Sequence, residues 1–246
     1  MSEEIRIPWF HYIANGGMRV LSRLLLDLHI EGLEHTPKQG PLIVAINHTN
    51  FLDPVLGIVY LRSDTLPMAK VELFNPPFGI LIANYGAFPI RRGQGDLSAV
   101  RRALQILREG HAMLISPEGT RTKSGVLEAA HEGTALIAVK SGAPILPVAM
   151  WGGKKFWDNL RRLRQTSVGM RVGEPLVVLS PDEKPTREVL RAITGELMHY
   201  IARLLPAEYR GLYADVEGMT PRYVKLKREA LTQPEWEMEK EVMSMR

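Results

Sequence analysis

Between Pro41 and Leu179 the chain alternates short apolar runs with longer amphipathic stretches, and this alternation confines it to one architectural class. Leu42–Ile46, Leu66–Ala69, Ala87–Ile90, Ala112–Ile115, Ile145–Met150, Val168–Val172 and Leu176–Leu179 read as strands. Leu52–Leu61, Phe78–Tyr85, Leu97–Arg108 and Gly133–Lys140 read as helices between them, the last two stopped by Gly110 and Gly142. A longer helix is expected over Thr186–Leu205, starting just behind Pro185. Strands separated by helices run mostly in one direction, so the expected fold is α/β: a single domain with a mixed, largely parallel β-sheet flanked by helices. In such sheets ligands bind beyond the carboxyl ends of the strands. Pro147 inside an apolar strand predicts an edge or a bulge, because it has no N–H to give to a neighbour.

The flanks differ from this core. In Trp9–Leu28, Met18, Leu21, Leu24, Leu25 and Leu28 recur at helical spacing, with Trp9, Phe10 and Tyr12 at the head. Such a segment either lies in a membrane interface or packs on its own domain. Residues 1–30 are set apart as amphipathic helices with these two readings open, 31–206 as the main domain, and 207–246 as a charged, helical C-terminal tail.

Composition narrows the chemistry. The chain has no cysteine, which removes thiol nucleophiles, disulfides and cysteine-ligated metals. Glu3 and Glu4 stand where a secretory signal would be basic, so a cytoplasmic compartment is expected. The longest run free of charged residues, Leu73–Ile90, is broken by Asn75, Pro76, Pro77, Gly79, Asn84, Gly86 and Pro89, and no spanning helix is expected. The net charge of +4 is unevenly spread. Lys154, Lys155, Arg161, Arg162, Arg164 and Arg171 outweigh Asp158 in one zone, and Arg91, Arg92, Arg101, Arg102 and Arg108 outweigh Asp96 in another. Two basic zones suit an anionic partner, although for either zone alone a solvated helix face is the better reading.

Two constellations follow apolar strands directly. After Leu42–Ile46 come Asn47, His48, Thr49, Asn50, Phe51, Leu52 and Asp53, a loop that brings Asp53 back to His48 if it folds on itself. A histidine held by an aspartate is a general base, although each residue alone is more often structural. After Ala112–Ile115 come Ser116, Pro117, Glu118, Gly119, Thr120 and Arg121, where the proline and glycine force a turn at the ligand-binding edge. A third strand delivers Arg91 at its carboxyl end.

Taken in order, these residues resemble the glycerolipid acyltransferase family typified by 1-acyl-glycerol-3-phosphate acyltransferase. Asn-His followed by Asp matches at Asn47–Asp53, the family's Gly-x-x-Phe-x-x-Arg block corresponds to Gly86, Phe88 and Arg91 with one residue fewer between Gly and Phe, Pro-Glu-Gly-Thr-Arg matches at Pro117–Arg121, and a proline-centred block lies around Pro144 and Pro147. The chain departs from the pattern at Ser116, where the family usually has Phe, and at Ala130 and His131, where members often carry Phe and Lys.

The resemblance implies transfer of a fatty acyl group from an acyl thioester to the free hydroxyl of a lysophospholipid. His48, ordered by Asp53, acts as base; Arg91 and Arg121 hold the acceptor phosphate, with Gly86, Glu118, Gly119, Thr120 and Pro147 shaping the substrate site. No metal or prosthetic group is expected; acyl-CoA or acyl carrier protein is the co-substrate, and nucleic acid is not a partner. A place on the cytoplasmic side of the cell membrane follows, docked peripherally on an anionic leaflet through Trp9–Leu28, Phe74–Ile82 and the basic zone with Trp151, Phe156 and Trp157. Glycerol 3-phosphate or another lysolipid as acceptor, a hydrolase, and a catalytically silent membrane-binding protein remain the alternatives.

Overall fold

The computed structural model describes residues 5, 7–77, 79–91, 96–179 and 184–231 of the 246. Its centre is a mixed sheet in the order β1 (Leu26–Glu31), β7 (Thr166–Val172), β6 (Ile145–Gly152), β2 (Leu42–Ile46), β5 (Ala112–Ile115), β3 (Thr65–Lys70) and β4 (Phe88–Ile90), with β8 (Leu176–Val178) added on β6 and β9 (Val224–Leu226) on β8. The five strands β6, β2, β5, β3 and β4 are parallel. β7 runs antiparallel to β6, and β1 is parallel to β7. The largely parallel α/β sheet expected from the alternation is therefore what forms.

Burial explains why the central strands are apolar throughout. Leu42, Val44 and Ile46 pack on one face with Leu52, Leu56 and Ile58 of α2 (Leu52–Tyr60). Ile43 and Ala45 pack on the other with α4 (Leu97–Arg108), α5 (Gly133–Ser141) and α7 (Arg187–Leu204). A sheet covered on both faces has no polar side to alternate with. From β2 the chain crosses by α2 towards β3, and from β5 it crosses on the opposite face by α5 towards β6. The neighbouring strands β2 and β5 thus part company, and such a switch point opens a crevice at their carboxyl ends.

α1 (Trp9–Leu25) is amphipathic in an unusual sense. Its polar side chains face the protein: His11 Nδ1–H donates to the Tyr85 carbonyl (2.8 Å), Asn15 accepts the Tyr85 hydroxyl, and Arg19 donates to the Val59 carbonyl. Trp9, Tyr12, Ile13, Val20, Leu21 and Leu24 are exposed. Among the described residues no helix is long and apolar enough to cross a membrane.

Several expectations are corrected. Residues 26–28, read as the end of the first helix, begin β1, where Leu26, Leu28 and Ile30 alternate with Asp27, His29 and Glu31. Pro147 is not on an edge: β6 lies between β2 and β7, and Pro147 sits where its partner changes from β8 (Leu176–Val178) to β7. There its missing N–H interrupts no long ladder, and its carbonyl accepts Gly173 N–H (2.9 Å). A short helix, α6 (Phe156–Arg161), precedes β7 and was not anticipated. α3 spans Gly79–Asn84; Phe78, where the helix was expected to start, lies outside the described residues. In the tail, read as helical, Val224–Leu226 forms β9 and Lys227–Leu231 forms α8. Val224 is fully buried, and Glu196 of α7 accepts the N–H groups of Arg222, Tyr223 and Val224 (2.9, 2.8 and 2.7 Å), which fixes the strand. Residues 232–246 and Arg92 lie outside the described residues.

Candidate active site

β2 ends on Asn47, whose buried side chain clamps it to β6: Nδ2 donates to the Met150 carbonyl (2.8 Å) and Oδ1 accepts Met150 N–H (2.7 Å). His48 is thereby delivered at the carboxyl edge of the sheet. The following loop turns back on itself because Asp53, in the first turn of α2 and only 2% exposed, gathers it from behind. Asp53 Oδ2 accepts the N–H of Thr49 (2.7 Å) and of Asn50 (2.6 Å), and the Thr49 hydroxyl lies 3.3 Å away. The same oxygen is 3.6 Å from His48 Nδ1. That nitrogen is buried with no other partner among the described residues. Nδ1 therefore faces the carboxylate, an arrangement that suits an imidazole with its proton on Nδ1 and a lone pair on Nε2.

The loop after β5 locks onto the first. Gly119 adopts φ +67, which closes the Ser116–Gly119 turn (Gly119 N–H to Ser116 carbonyl, 3.0 Å). A Cβ there would lie 2.8 Å from Cδ2 of His131. The turn drives Glu118 inward, where it is 2% exposed. Its Oε2 accepts His48 N–H (2.8 Å) and its Oε1 accepts Glu128 N–H (3.0 Å). Thr122 N–H donates to the His48 carbonyl (2.8 Å). Both backbone groups of His48 are thus held by the second loop. Burial pushes the Glu118 carboxyl up to about 7, against the pull of the Glu128 and His48 amides and of the His48 ring. Expected in the substrate-binding set, Glu118 is placed beneath His48, with both oxygens committed to backbone.

The remaining residues divide. Thr120 and Arg121 are exposed on the same loop, and Arg121 makes no ion pair among the described residues. Arg91 is exposed at the carboxyl end of β4, on the same edge of the sheet. Two strand spacings separate β4 from β5, about 10 Å. Gly86 is not brought to this edge: it lies at the amino end of β4, against Leu66 and Pro8. Pro147 lies within β6, short of the strand's end.

Phe51 stacks on Trp157 of α6 (centroids 5.4 Å apart) and meets Phe156 edge-on, giving the His48 loop an aromatic flank. Among the described residues no group of three or more His, Asp and Glu is placed to hold a metal ion. Sequence reasoning did not single out Asn47 or Thr122 for the roles they play. Asn47 carried a signal, a polar residue at the end of a wholly apolar strand, which must find partners when buried. Thr122 acts through its backbone and carried none.

The chain is similar to known proteins in this same region. The family profile described as Acyltransferase matches residues 27–151, just over half of the 246. The 1-acyl-sn-glycerol-3-phosphate acyltransferase of Bacillus subtilis is 28% identical over 197 residues, covering 79% of this chain and 96% of that protein. The protein of the same name from Borreliella burgdorferi is 31% identical over 135 residues, covering 54% of each chain. The crystal structure of the 1-acyl-sn-glycerophosphate acyltransferase PlsC from Thermotoga maritima superposes with a TM-score of 0.56 at 28% identity, covering 76% of each chain. A matching profile that begins in β1 and ends in β6, spanning both locked loops, shows that this chain belongs to the acyltransferase family and is an acyltransferase.

Proposed function

We propose that the protein transfers a fatty acyl group from an acyl thioester to the free sn-2 hydroxyl of 1-acyl-glycerol-3-phosphate, giving phosphatidic acid. The observation that carries this reading is His48: Nδ1 turned to Asp53, Nε2 free, and both backbone groups clamped at a switch point of the sheet. The names of the Bacillus subtilis and Thermotoga maritima proteins support the acceptor. Nε2 accepts the hydroxyl proton as the oxygen attacks the thioester carbonyl; the new C–O bond forms, the C–S bond breaks, and the proton passes to the departing thiolate. Asp53 stabilises the imidazolium in between, and general-base catalysis of this kind is worth about 100- to 10,000-fold in rate. Transfer is direct, since the chain has neither a cysteine nor a Gly-x-Ser-x-Gly turn to carry the acyl group.

Arg121, exposed beside the clamped loop, grips the acceptor phosphate, with Arg91 on the same edge and Thr120 as a hydroxyl donor. Gly119 serves by shaping the turn. The donor is acyl-CoA or acyl carrier protein, and no metal or prosthetic group takes part. The enzyme works peripherally on the cytoplasmic face of the cell membrane, partitioning through the exposed apolar stripe of α1, with Ile80 and Leu81 of α3 as a second apolar element. Phe156 is buried and Trp151 packs inward, so of the three aromatics expected at the interface only Trp157 is available.

Acyl transfer from radiolabelled acyl-CoA and acyl carrier protein to a panel of lysophospholipids and glycerol 3-phosphate tests this reading. Lysophosphatidate is expected to be acylated, and His48→Ala to abolish turnover. Acylation of another acceptor alone would move the assignment to that acceptor, and thioester hydrolysis without transfer would overturn it.

A further inference from the structure

The turn between α6 and β7 holds an exposed leucine in a conformation that leucine avoids. Leu163 has φ +52 and is 95% exposed. A side chain with a Cβ is strained there, and glycine or asparagine would be the relaxed choice. The turn is nevertheless tightly built: Leu163 N–H donates to the Leu160 carbonyl (3.1 Å), and the N–H groups of Arg162 and Arg164 both donate to the Asn159 carbonyl (3.0 and 2.9 Å). The Asn159 side chain donates to Thr166 Oγ1 (3.1 Å) from within the same turn. Strain that persists under so many constraints points to a use for the displayed side chain.

Its surroundings say what the use is. Arg161, Arg162 and Arg164 flank it, all exposed, and only Arg161 has an ion-pair partner among the described residues, Asp158 at 3.6 Å. Lys154 and Lys155 at the start of α6 are exposed as well. Arg171, grouped with them by sequence, is turned away and pairs with Glu31 (2.7 Å). Gln165 ties the turn to α1, donating to the carbonyls of Arg23 and Leu24 (3.2 Å each), so Leu163 stands beside the end of the stripe that carries Leu21 and Leu24. On the other side Trp157 stacks on Phe51 of the His48 loop.

We propose that the α6–β7 turn is a further membrane contact, selective for anionic lipid: Leu163 inserts among the acyl chains while Arg161, Arg162 and Arg164 bind headgroup phosphates. This rests on the peripheral-membrane reading given above and assigns its anionic preference to one turn and four named side chains. Apolar insertion flanked by three exposed cations, two of them without an ion-pair partner among the described residues, and continuous with an apolar helix stripe fits a lipid surface. It also sets the His48 loop beside the bilayer, where a lysolipid arrives.

The test is co-sedimentation of the full chain with phosphatidylcholine vesicles, with and without phosphatidylglycerol. Arg161→Gln, Arg162→Gln and Arg164→Gln together are expected to weaken binding to the anionic vesicles about tenfold or more, and to leave binding to neutral vesicles unchanged. Leu163→Gly is expected to keep or raise Tm, because it relieves the strain, while weakening binding at least threefold. A merely structural leucine would show the opposite pattern. Turnover of a short-chain, monomeric lysophosphatidate should not change in either variant. Unchanged vesicle binding in both variants would overturn the proposal. So would intact vesicle binding with a raised KM for acyl carrier protein, which would make the turn a protein-docking site. If wild type binds neither vesicle, the underlying membrane reading has failed; if it binds and only α1 substitutions weaken it, the turn alone has.

Discussion

Glu118 separates two ways in which a charged residue can serve one site. In sequence it stands next to Gly119, Thr120 and Arg121 and reads with them as part of a polar acceptor pocket. In the fold its two oxygens accept the N–H groups of His48 and Glu128, so its effect on chemistry passes through the placement of His48. Glu118→Gln keeps one acceptor oxygen for two part-buried donors, and the orphaned amide costs about 1–3 kcal/mol. The expected result is a fall in kcat of tenfold or more with acceptor KM changed less than threefold; an acceptor-binding role would instead raise KM. The same variant has a pH signature. The Glu118 carboxyl titrates at about 7 in the fold against an ordinary value of 4.5, so folding favours its protonated form. Between those values the unfolded chain holds fewer protons, and wild-type stability falls as pH rises. Chemical denaturation at pH 5 and pH 8 should show wild type losing roughly 2 to 3 kcal/mol relative to Glu118→Gln over that range. Equal pH dependence in the two proteins would remove the buried-carboxyl account. His48, Asp53 and Arg121 were legible as candidates because their residue types carry chemistry. Their division of labour was not, because it depends on backbone amides that carry no residue identity.

At the scale of elements, what could be read from the sequence follows burial. β2, β5 and β6 are covered on both faces and show as unbroken apolar runs. β1, covered by less, shows only an alternation over six residues, and the helical spacing of Leu21, Leu24, Leu25 and Leu28 outweighed it. β9 is three residues long, too short for any periodicity, and is specified by a distant carboxylate on α7. That dependence is testable. Glu196→Ala removes the acceptor of three amide groups at once, two of them only partly buried, and is expected to cost about 2–4 kcal/mol in thermal or denaturant unfolding. Hydrogen exchange should quicken first at Tyr223 and Val224. A variant as stable as wild type, with unchanged exchange there, would show that β8 alone holds β9.

Across the whole molecule, the sheet places the clamped histidine at one edge and α1 lays an apolar stripe along the outside, and the two meet where α6 and its turn connect them. The spacing of apolar residues in α1 was plain in the sequence, but its direction was not. An amphipathic helix is expected to bury its apolar side in its own domain. Here Tyr85, Tyr60 and the Val59 carbonyl offer hydrogen-bonding partners to His11, Asn15, Arg19 and Ser22, and the polar side turns inward. This leaves Leu21 and Leu24, 53% and 67% exposed, free to partition. A fully buried leucine contributes roughly 1.5–3 kcal/mol, so two half-exposed ones contribute roughly 2–3 kcal/mol between them. Replacing both by glutamate, Leu21→Glu with Leu24→Glu, should therefore weaken vesicle binding about thirty- to a hundredfold. The fold should stand, because neither side chain lies in the core, and turnover of a monomeric short-chain acceptor should stay at the wild-type value. Loss of turnover on lysolipid in vesicles alone would locate the defect in delivery of the acceptor. Equal loss on both substrates would mean that α1 supports the site directly, through Tyr60 and α2, and that its outer face has another purpose.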